Sequence, residues 1–279
     1  MRYLITGGAG FIGSHLVQRL LQRGEEVIAM DNLSTGAAEN MTSFQSHPQF
    51  TFVHGSVLDQ LLVEETVAEA DVVVHLAAAV GVRLIVEQPL KSLITNIRGS
   101  ENVLEAAWKR GVKTLVTSTS EIYGKNSAVP LSETHDRILG PPSIARWAYS
   151  TSKAVDEILA LAYHREKGLP TVIVRLFNTV GPRQTGRYGM VIPTLIAQAL
   201  QGEELTVFGD GAQTRCFCYV DDTIEALVTL LDNPSAEGEI FNVGNPEEIS
   251  ITDLAKKIIE RTGSNSELRF VPYEEAYEE

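Results

Sequence analysis

The sequence GGAGFIG at residues 7–13 is the strongest indication of fold class in this chain of 279 residues. It joins a strand-like run at 2–6 to a helical pattern at 12–23. Glycines spaced G-x-x-G-x-x-G let the backbone turn tightly and let a pyrophosphate approach the helix N-terminus. A structural turn would use the same glycines, but Asp31 ends the next predicted strand, where a carboxylate accepts hydrogen bonds from an adenosine ribose. Strand, loop, helix, strand and Asp31 together favour dinucleotide binding.

The residues around Asp31 also indicate which dinucleotide is bound. The Asp31 carboxylate would repel a 2′-phosphate. The next residues, Asn32 and Leu33, supply no cation that would attract one. The predicted cofactor is therefore NAD rather than NADP.

Short apolar runs alternate with amphipathic helical patterns along the first part of the chain. Runs such as VVVHL and TVIVRL are apolar on both faces, as in a parallel sheet covered by helices. The alternation predicts an α/β fold, a Rossmann-like doubly wound parallel sheet with right-handed crossovers. We expect strands at 2–6, 26–30, 50–53, 71–76, 113–117 and 171–177, and helices at 12–23, 61–68, 93–110 and 149–167.

The pattern changes at residue 178, where a loop rich in Gly and Arg begins. Strands are then predicted at 205–208 and 239–243, and helices at 192–201, 221–231 and 250–261. We predict an NAD-binding domain at 1–177, to which 209–240 return, and a smaller C-terminal α/β substrate-binding domain at 178–208 and 241–279.

Composition and charge exclude several classes of protein. With 44% hydrophobic residues the chain has enough apolar material for a core, which excludes disorder as its main state. Its most apolar stretch, 72–82, is too short for a bilayer, which needs about 20 residues, and its start is not a signal peptide. The net charge of −13 argues against nucleic-acid binding. Cys216 and Cys218 are too close for an ordinary disulfide, which indicates reduced thiols and a cytoplasmic location; no metal site is predicted.

Tyr149 and Lys153 are four residues apart in YSTSK and therefore share one face of a helix. A neighbouring ammonium and a bound nicotinamide cation both favour the phenolate. Tyr149 is thus predicted to take a proton from a sugar hydroxyl, while Lys153 also holds the nicotinamide ribose. Thr119 follows a predicted strand, at the sheet edge where ligands bind, and is expected to align that hydroxyl. A surface pair at 149 and 153 is the alternative interpretation.

Ordered motifs extend over nearly the whole chain: ITGGAGFIGSHL, DNLSTG, HLAA, N-x-x-G from Asn96, STSEIYG, YSTSK, RLFNTVGPRQ, LTVFGDGAQTR, YVDD and FNVGNP. Together they resemble the extended short-chain dehydrogenase/reductase family, specifically its nucleotide-sugar epimerases, dehydratases and decarboxylases. The resemblance implies that bound NAD oxidises C4 of a UDP-sugar with Tyr149 as base, and that the 4-keto sugar is then epimerised, decarboxylated or dehydrated. It also implies a homodimer through a four-helix bundle formed by 93–110 and 149–167.

The same resemblance assigns roles to residues by their position in the motifs. The residues that would hold the pyrophosphate are Gly7, Gly10, Phe11, Ile12 and Gly13. Those that would flank the adenosine or line the dinucleotide are Asp31, Asn32, Ser34, Gly36, Ser56, Val57, Leu76, Ala77, Ala78, Asn96 and Thr117. On the substrate side, Asn178 and Arg215 would contact the diphosphate, Val191 and Ile192 would follow the nucleotide, and Val207 and Phe208 would face the uracil.

Two features depart from the family pattern. Where the family often has Asp against the adenine, this chain has Gly55-Ser56-Val57, so Ser56 would take that role more weakly. Family chains also usually continue past residue 279 to an Arg-x-x-Asp pair. We therefore expect a complete chain to be longer by about 30–40 residues.

The epimerases, decarboxylases and dehydratases of this family differ in what happens to the 4-keto sugar. Glu121 resembles an acidic catalytic residue found in the decarboxylases and in some dehydratases, although a structural carboxylate is the alternative. Ser120 stands where the dehydratases have Asp, which disfavours dehydration. The segments around Arg83 and Arg187 resemble UDP-glucuronate 4-epimerases. We hypothesise that Arg187 or Arg183 grips a C6 carboxylate and protects it from loss, the alternative being contact with the diphosphate or solvent.

We therefore predict an NAD-dependent UDP-sugar 4-epimerase that acts on UDP-glucuronate or UDP-glucose. A UDP-glucuronate decarboxylase is the first alternative. A non-catalytic dinucleotide sensor is the second, which the presence of Tyr149, Lys153 and Thr119 disfavours.

Overall fold

The fold is an assembly of strands and helices that alternate along most of the chain. The computed structural model describes residues 1–81, 87–186 and 190–272. The strands are β1 (Arg2–Thr6), β2 (Glu26–Asp31), β3 (Phe50–His54), β4 (Val72–His75), β5 (Lys113–Thr119), β6 (Thr171–Leu176), β7 (Thr179–Val180), β8 (Leu205–Phe208), β9 (Thr214–Cys216), β10 (Cys218–Tyr219), β11 (Ile240–Val243), β12 (Glu248–Ser250) and β13 (Leu268–Val271). The helices are α1 (Phe11–Gln22), α2 (Gln60–Val67), α3 (Pro89–Arg110), α4 (Trp147–Lys167), α5 (Val191–Gln201), α6 (Val220–Asp232) and α7 (Ile251–Thr262).

Seven parallel strands form the main sheet in the order β11-β6-β5-β4-β1-β2-β3. This confirms the predicted doubly wound α/β fold. The strand order reverses between β1 and β4, and ligands bind outside the carboxyl ends of the strands at such a switch point. β5 continues to Thr119 and α3 begins at Pro89, so both extend a few residues beyond their predicted bounds.

Helices cover both faces of the sheet, which explains why its strands are apolar on both sides. Leu16 of α1 and Ile224 of α6 belong to the core on one face, and Val103 of α3 belongs to the core on the other. Neighbouring residues of β4 alternate between them, with Val74 in the first core and Val73 in the second. Within the described ranges, no helix is both long and apolar enough to span a membrane.

A smaller α/β layer follows β7 and has its own core. The parallel pair β8–β13 and the antiparallel pair β9–β12 support α5 and α7. The buried residues of this core are Leu195, Ala199, Leu205, Val207, Ile251, Leu254, Ala255 and Ile258.

The chain returns to the main sheet over a different range from the predicted 209–240. β9 pairs with β12 in the smaller layer, so the return begins after it, with β10 and α6. It ends with β11, which pairs with β6 at the edge of the main sheet. Residues 241–243 therefore belong to the sheet and not to the predicted second domain, because Phe241 and Val243 pack against its core.

Helices α3 and α4 pack against each other and carry exposed apolar side chains. Leu90 of α3 is 70% exposed and Ile158 of α4 is 61% exposed. These are the helices that the sequence assigns to a dimer interface. The homodimer stays a prediction.

Candidate active site

The carboxyl ends of the parallel strands bring the predicted site residues to one edge of the sheet. The glycine loop follows β1, Asp31 ends β2, and Thr119 ends β5. α4 then places Tyr149 and Lys153 near Thr119, because α4 packs on β5 and on the turn after it. The arrangement joins the predicted dinucleotide loop to the predicted catalytic residues.

The glycine loop fits a pyrophosphate because it leaves the helix N-terminus uncovered. α1 begins at Phe11, and no side chain in the described part of the chain caps it at Gly10. A Cβ at Gly13 would overlap the Gly7 carbonyl oxygen. Gly7 has a φ of +73° and passes within van der Waals contact of Ala77, where a Cβ would lie 2.9 Å from the Ala77 nitrogen. Bare backbone N–H groups at a helix N-terminus are a phosphate-binding arrangement.

Asp31 is fixed at the end of β2 beside this loop. Its Oδ2 accepts a hydrogen bond from the Ala9 N–H at 3.0 Å, and its Oδ1 accepts one from the Leu33 N–H at 2.8 Å. Burial raises the pKa of the Asp31 carboxyl, and these two N–H groups oppose that rise. Each carboxylate oxygen has a second lone pair, so Asp31 can still accept ribose hydroxyls. Asn32 and Ser34 beside it are exposed.

Asn96 acts through the loop after β4. Its Oδ1 accepts a hydrogen bond from the Ala79 N–H at 2.7 Å, and its Nδ2 donates one to Ser152 of α4 at 3.1 Å. Asn96 is 1% exposed. The Asn96 side chain therefore connects the loop that contains Ala77 and Ala78 to α4.

Two further residues of the predicted cofactor set are also packed into the protein. The Thr117 hydroxyl donates to the His75 carbonyl at 2.9 Å. Val57 is buried against Gly99 of α3, and its carbonyl accepts a hydrogen bond from Asn102. These contacts indicate that Thr117 and Val57 support the surrounding structure. Ser56 is half-buried and is therefore more accessible to a ligand than the buried Val57.

Tyr149 is half-buried at the start of α4, and the Thr119 hydroxyl acts on its phenol. Burial raises the pKa of the Tyr149 phenol, while the Lys153 ammonium and the Thr119 hydroxyl act to lower it. Asp156 and Glu121 raise it further. The sequence identified the ammonium that favours a phenolate, but not the burial that opposes it.

Lys153 is paired with an anion that the sequence analysis missed. Its Nζ lies 2.9 Å from Oδ2 of Asp156, and both side chains are buried. The signal was present, because a Lys and an Asp three residues apart share a helix face. Burial lowers the pKa of Lys153, but Asp156, Tyr149 and Glu157 raise it more, and the net direction is upward.

Glu121 lies in the turn Ser120–Tyr123, directly after β5. Its backbone N–H donates to the Thr119 hydroxyl at 3.2 Å, and its side chain is exposed. The charged groups of the described residues that act on the Tyr149 phenol are Lys153, Asp156 and Glu121. Glu121 is the exposed one among them, so its side chain is not buried beneath the sheet.

On the substrate side, the structure brings Asn178 to the strand that carries Arg215. The Asn178 amide donates to the Cys216 carbonyl at 3.0 Å. Arg215 is exposed, and its Nη1 donates to the Thr214 carbonyl at 2.7 Å. Its remaining guanidinium donors match the geometry of a diphosphate.

The predicted uracil wall divides between two faces of β8. Val207 is fully buried in the core of the smaller layer, so its side chain does not present itself to a ligand. Phe208, the next residue, is 37% exposed, as expected from the alternation of a strand. Val191 and Ile192 are half-buried at the start of α5 and pack against the same core.

Arg183 is engaged away from the predicted sugar site. Its guanidinium donates to Ser14 at 3.3 Å and to Gln18, both on α1. The hypothesis that Arg183 binds a C6 carboxylate is therefore disfavoured, because its guanidinium N–H groups bind α1 and hold the loop after residue 178 against that helix. Arg83 and Arg187 lie outside the described residues.

The described residues also bear on metals and disulfides. No group of three or more His, Cys, Asp and Glu side chains among them is arranged to hold a metal ion. Both cysteines are free thiols.

Comparisons with known proteins show which family the chain belongs to. The family model described as the NAD dependent epimerase/dehydratase family matches residues 3–244. The chain is 44% identical over 277 residues to the UDP-N-acetyl-alpha-D-glucosaminuronate decarboxylase of Bacillus cytotoxicus, covering 99% of this chain and 85% of that protein. It is 39% identical over 272 residues to UDP-glucuronic acid decarboxylase 1 of Arabidopsis thaliana, covering 98% of this chain and 61% of that one.

A similar solved structure contains a bound cofactor. The UDP-glucuronic acid 4-epimerase of Bacillus cereus, in complex with UDP-glucuronic acid and NAD, superposes with a TM-score of 0.88 at 34% identity. The match covers 98% of this chain and 86% of that chain. This chain therefore belongs to the NAD-dependent epimerase/dehydratase family, and its cofactor is NAD.

Proposed function

We propose that this protein is an NAD-dependent decarboxylase of a UDP-hexuronate. The observation that carries the proposal is the exposed Glu121 carboxylate beside the buried Thr119 and Lys153 and the half-buried Tyr149. The sequence favoured a 4-epimerase and kept decarboxylation as the alternative. The Bacillus and Arabidopsis relatives, both named decarboxylases, support that alternative over the epimerase.

In the first part of the reaction, three residues of this chain act on the C4 hydroxyl. NAD, when bound, supplies the oxidation of C4 and its later reduction. Thr119 orients the C4 hydroxyl, and Tyr149 accepts its proton because the Lys153 charge favours the phenolate. Asp31 and the glycine loop hold the dinucleotide in place for this step. The resulting 4-keto sugar has a carbonyl at C4, beside C5.

In the second part, the bond between C5 and C6 breaks and carbon dioxide leaves. The electron pair of the C5–C6 bond stays on C5 and is delocalised onto O4, so negative charge moves from the carboxylate toward Tyr149 and Lys153. We place the C6 carboxylate near Glu121, where repulsion between two anions is relieved as this charge moves away. C5 then takes a proton from water, C4 is reduced, and Tyr149 returns its proton to O4.

A product mass distinguishes the proposed function from its alternatives. Purified protein with NAD is incubated with UDP-glucuronate and, separately, with UDP-N-acetylglucosaminuronate, and the nucleotide sugars are analysed by mass spectrometry. We expect a product that has lost carbon dioxide from at least one of them. A product of unchanged mass but altered configuration at C4 identifies a 4-epimerase, the reaction of the Bacillus cereus neighbour. Recovery of unaltered substrate under conditions where NAD binds would restore the sensor interpretation.

Glu121→Gln tests the role given to the exposed carboxylate. The change keeps the shape of the side chain and removes its charge, so we expect decarboxylation to slow by about 100-fold, within the range for one positioned catalytic group. Binding of NAD and UDP, measured by calorimetry, should be unchanged. Asp136→Asn, which removes another exposed carboxylate from the following loop, is the matched control. Equal rates for both variants would remove Glu121 from the mechanism.

A further inference from the structure

Asp156 holds the ammonium of Lys153 from within the same helix. The two charged atoms are 2.9 Å apart, and Asp156 is 0% and Lys153 2% exposed. Their spacing of three residues places them on one face of α4, together with Tyr149 four residues before Lys153. The pair is therefore fixed by the helix and shielded from water.

The carboxylate of Asp156 has little else to act on. Oδ2 accepts the hydrogen bond from Lys153, while Oδ1 is buried and has no hydrogen-bond partner among the described residues. A buried carboxylate whose charge is not spread over further donors acts strongly on the nearest cation. Here that cation is the one beside the base of the reaction.

The other titratable groups around Lys153 and Tyr149 are accounted for. His75 of β4 is buried between Thr6 and Ser100, and burial lowers its pKa to about 3, so it is neutral. Glu157 of α4 is bound by the guanidinium of Arg175 on β6. Glu121 faces Tyr149 from the turn after β5 and is exposed to solvent. Asp156 is left as the buried counter-ion of Lys153.

We propose that Asp156 is a positioning residue, which keeps Lys153 charged and in place and thereby sets the pH range over which Tyr149 exchanges its proton. The inference rests on Tyr149 being the base of the proposed reaction. Asp156 itself touches neither substrate nor cofactor in this assignment.

The direction of the effect follows from electrostatics. Removing an anion makes both neighbouring groups better acids, so the pKa of Tyr149 and the pKa of Lys153 fall together in Asp156→Asn. The phenolate then forms at lower pH, and the ammonium is also lost at lower pH. Both limbs of the profile of kcat/KM against pH should move to lower pH, by about one unit for one close charge. A merely structural role would lower the rate without moving either limb.

A titration without substrate gives a second readout. The ultraviolet signal of tyrosinate is followed against pH in the Asp156→Asn protein, and the signal of the same protein carrying Tyr149→Phe is subtracted to isolate one of eight tyrosines. Wild-type protein with the same subtraction is the reference. We expect the Tyr149 transition at lower pH in Asp156→Asn. An unshifted transition in folded protein would overturn the inference.

Two variants complete the experiment. Glu166→Gln removes an exposed charge near the end of α4, about 20 Å from Lys153 at 1.5 Å per residue, and should leave both curves in place. If Asp156→Asn does not fold, Asp156→Ser carries the same test with a smaller side chain. If the phenol titration shifts in Asp156→Asn but the wild-type protein shows no decarboxylase activity, the effect of Asp156 on Tyr149 stands and the proposed function is rejected. Decarboxylase activity with an unshifted titration would do the reverse.

Discussion

Tyr149→Phe is expected to reduce kcat/KM by about 1,000-fold while leaving the fold and NAD binding intact. General acid–base groups contribute about 10²- to 10⁴-fold, and Tyr149 is placed to move the proton of the C4 hydroxyl at the start and at the end of the reaction. Its hydroxyl is lost in phenylalanine, but its ring, half-buried at the start of α4, is retained. The measurement is the rate of product formation, with NAD affinity measured on the same protein.

Two controls separate the proton transfer from packing. Tyr163→Phe removes a phenol from the same helix, where that ring packs on Trp108 at 6.3 Å between centroids, and should leave the rate unchanged. Thr119→Ala removes the hydroxyl that acts on the Tyr149 phenol and should have a smaller effect than Tyr149→Phe. A Tyr149→Phe protein that retains a tenth of the wild-type rate would contradict the assignment of Tyr149 as the base.

The main sheet was predictable because its signals are local. Most positions of runs such as Thr171–Leu176 are apolar, as expected of a strand covered on both faces, and the glycine loop marks where the first strand turns into the first helix. Glycines at the ends of α3 and α4 marked where those helices stop. The parallel order then placed Asp31 and Thr119 at one edge without any knowledge of contacts.

The supporting contacts were not predictable in the same way, because they join residues that are distant in sequence. Nothing near Asn96 indicates that its amide will bridge to Ser152, 56 residues away. Nothing near Arg183 indicates that its side chain will turn to α1. The pairing of β9 with β12 also depends on packing rather than on a periodic pattern of apolar residues. The sequence therefore predicted that the chain returns to the main sheet too early, before β9.

The buried pair of Arg175 and Glu157 is such a long-range contact, and we expect Arg175→Met to have the largest effect on stability. The Arg175 Nε donates to Glu157 Oε1 at 2.9 Å and Nη2 donates to Oε2 at 2.8 Å. Nη1 donates to the Tyr123 hydroxyl at 2.7 Å and to the Glu133 carbonyl at 2.9 Å. Removing one partner of a buried pair leaves an uncompensated charge, at a cost of about 3–5 kcal/mol in the free energy of unfolding. Urea denaturation of the variant and the wild type measures this difference.

The source of that loss can be tested through Glu157. Without the guanidinium, the buried Glu157 carboxylate loses its bidentate partner and keeps an unpaired charge. The double variant Arg175→Met with Glu157→Leu removes both charges and should be more stable than Arg175→Met alone. If the double variant were as unstable as the sum of two independent losses, the contacts to Tyr123 and Glu133, and not the unpaired charge, would account for the effect.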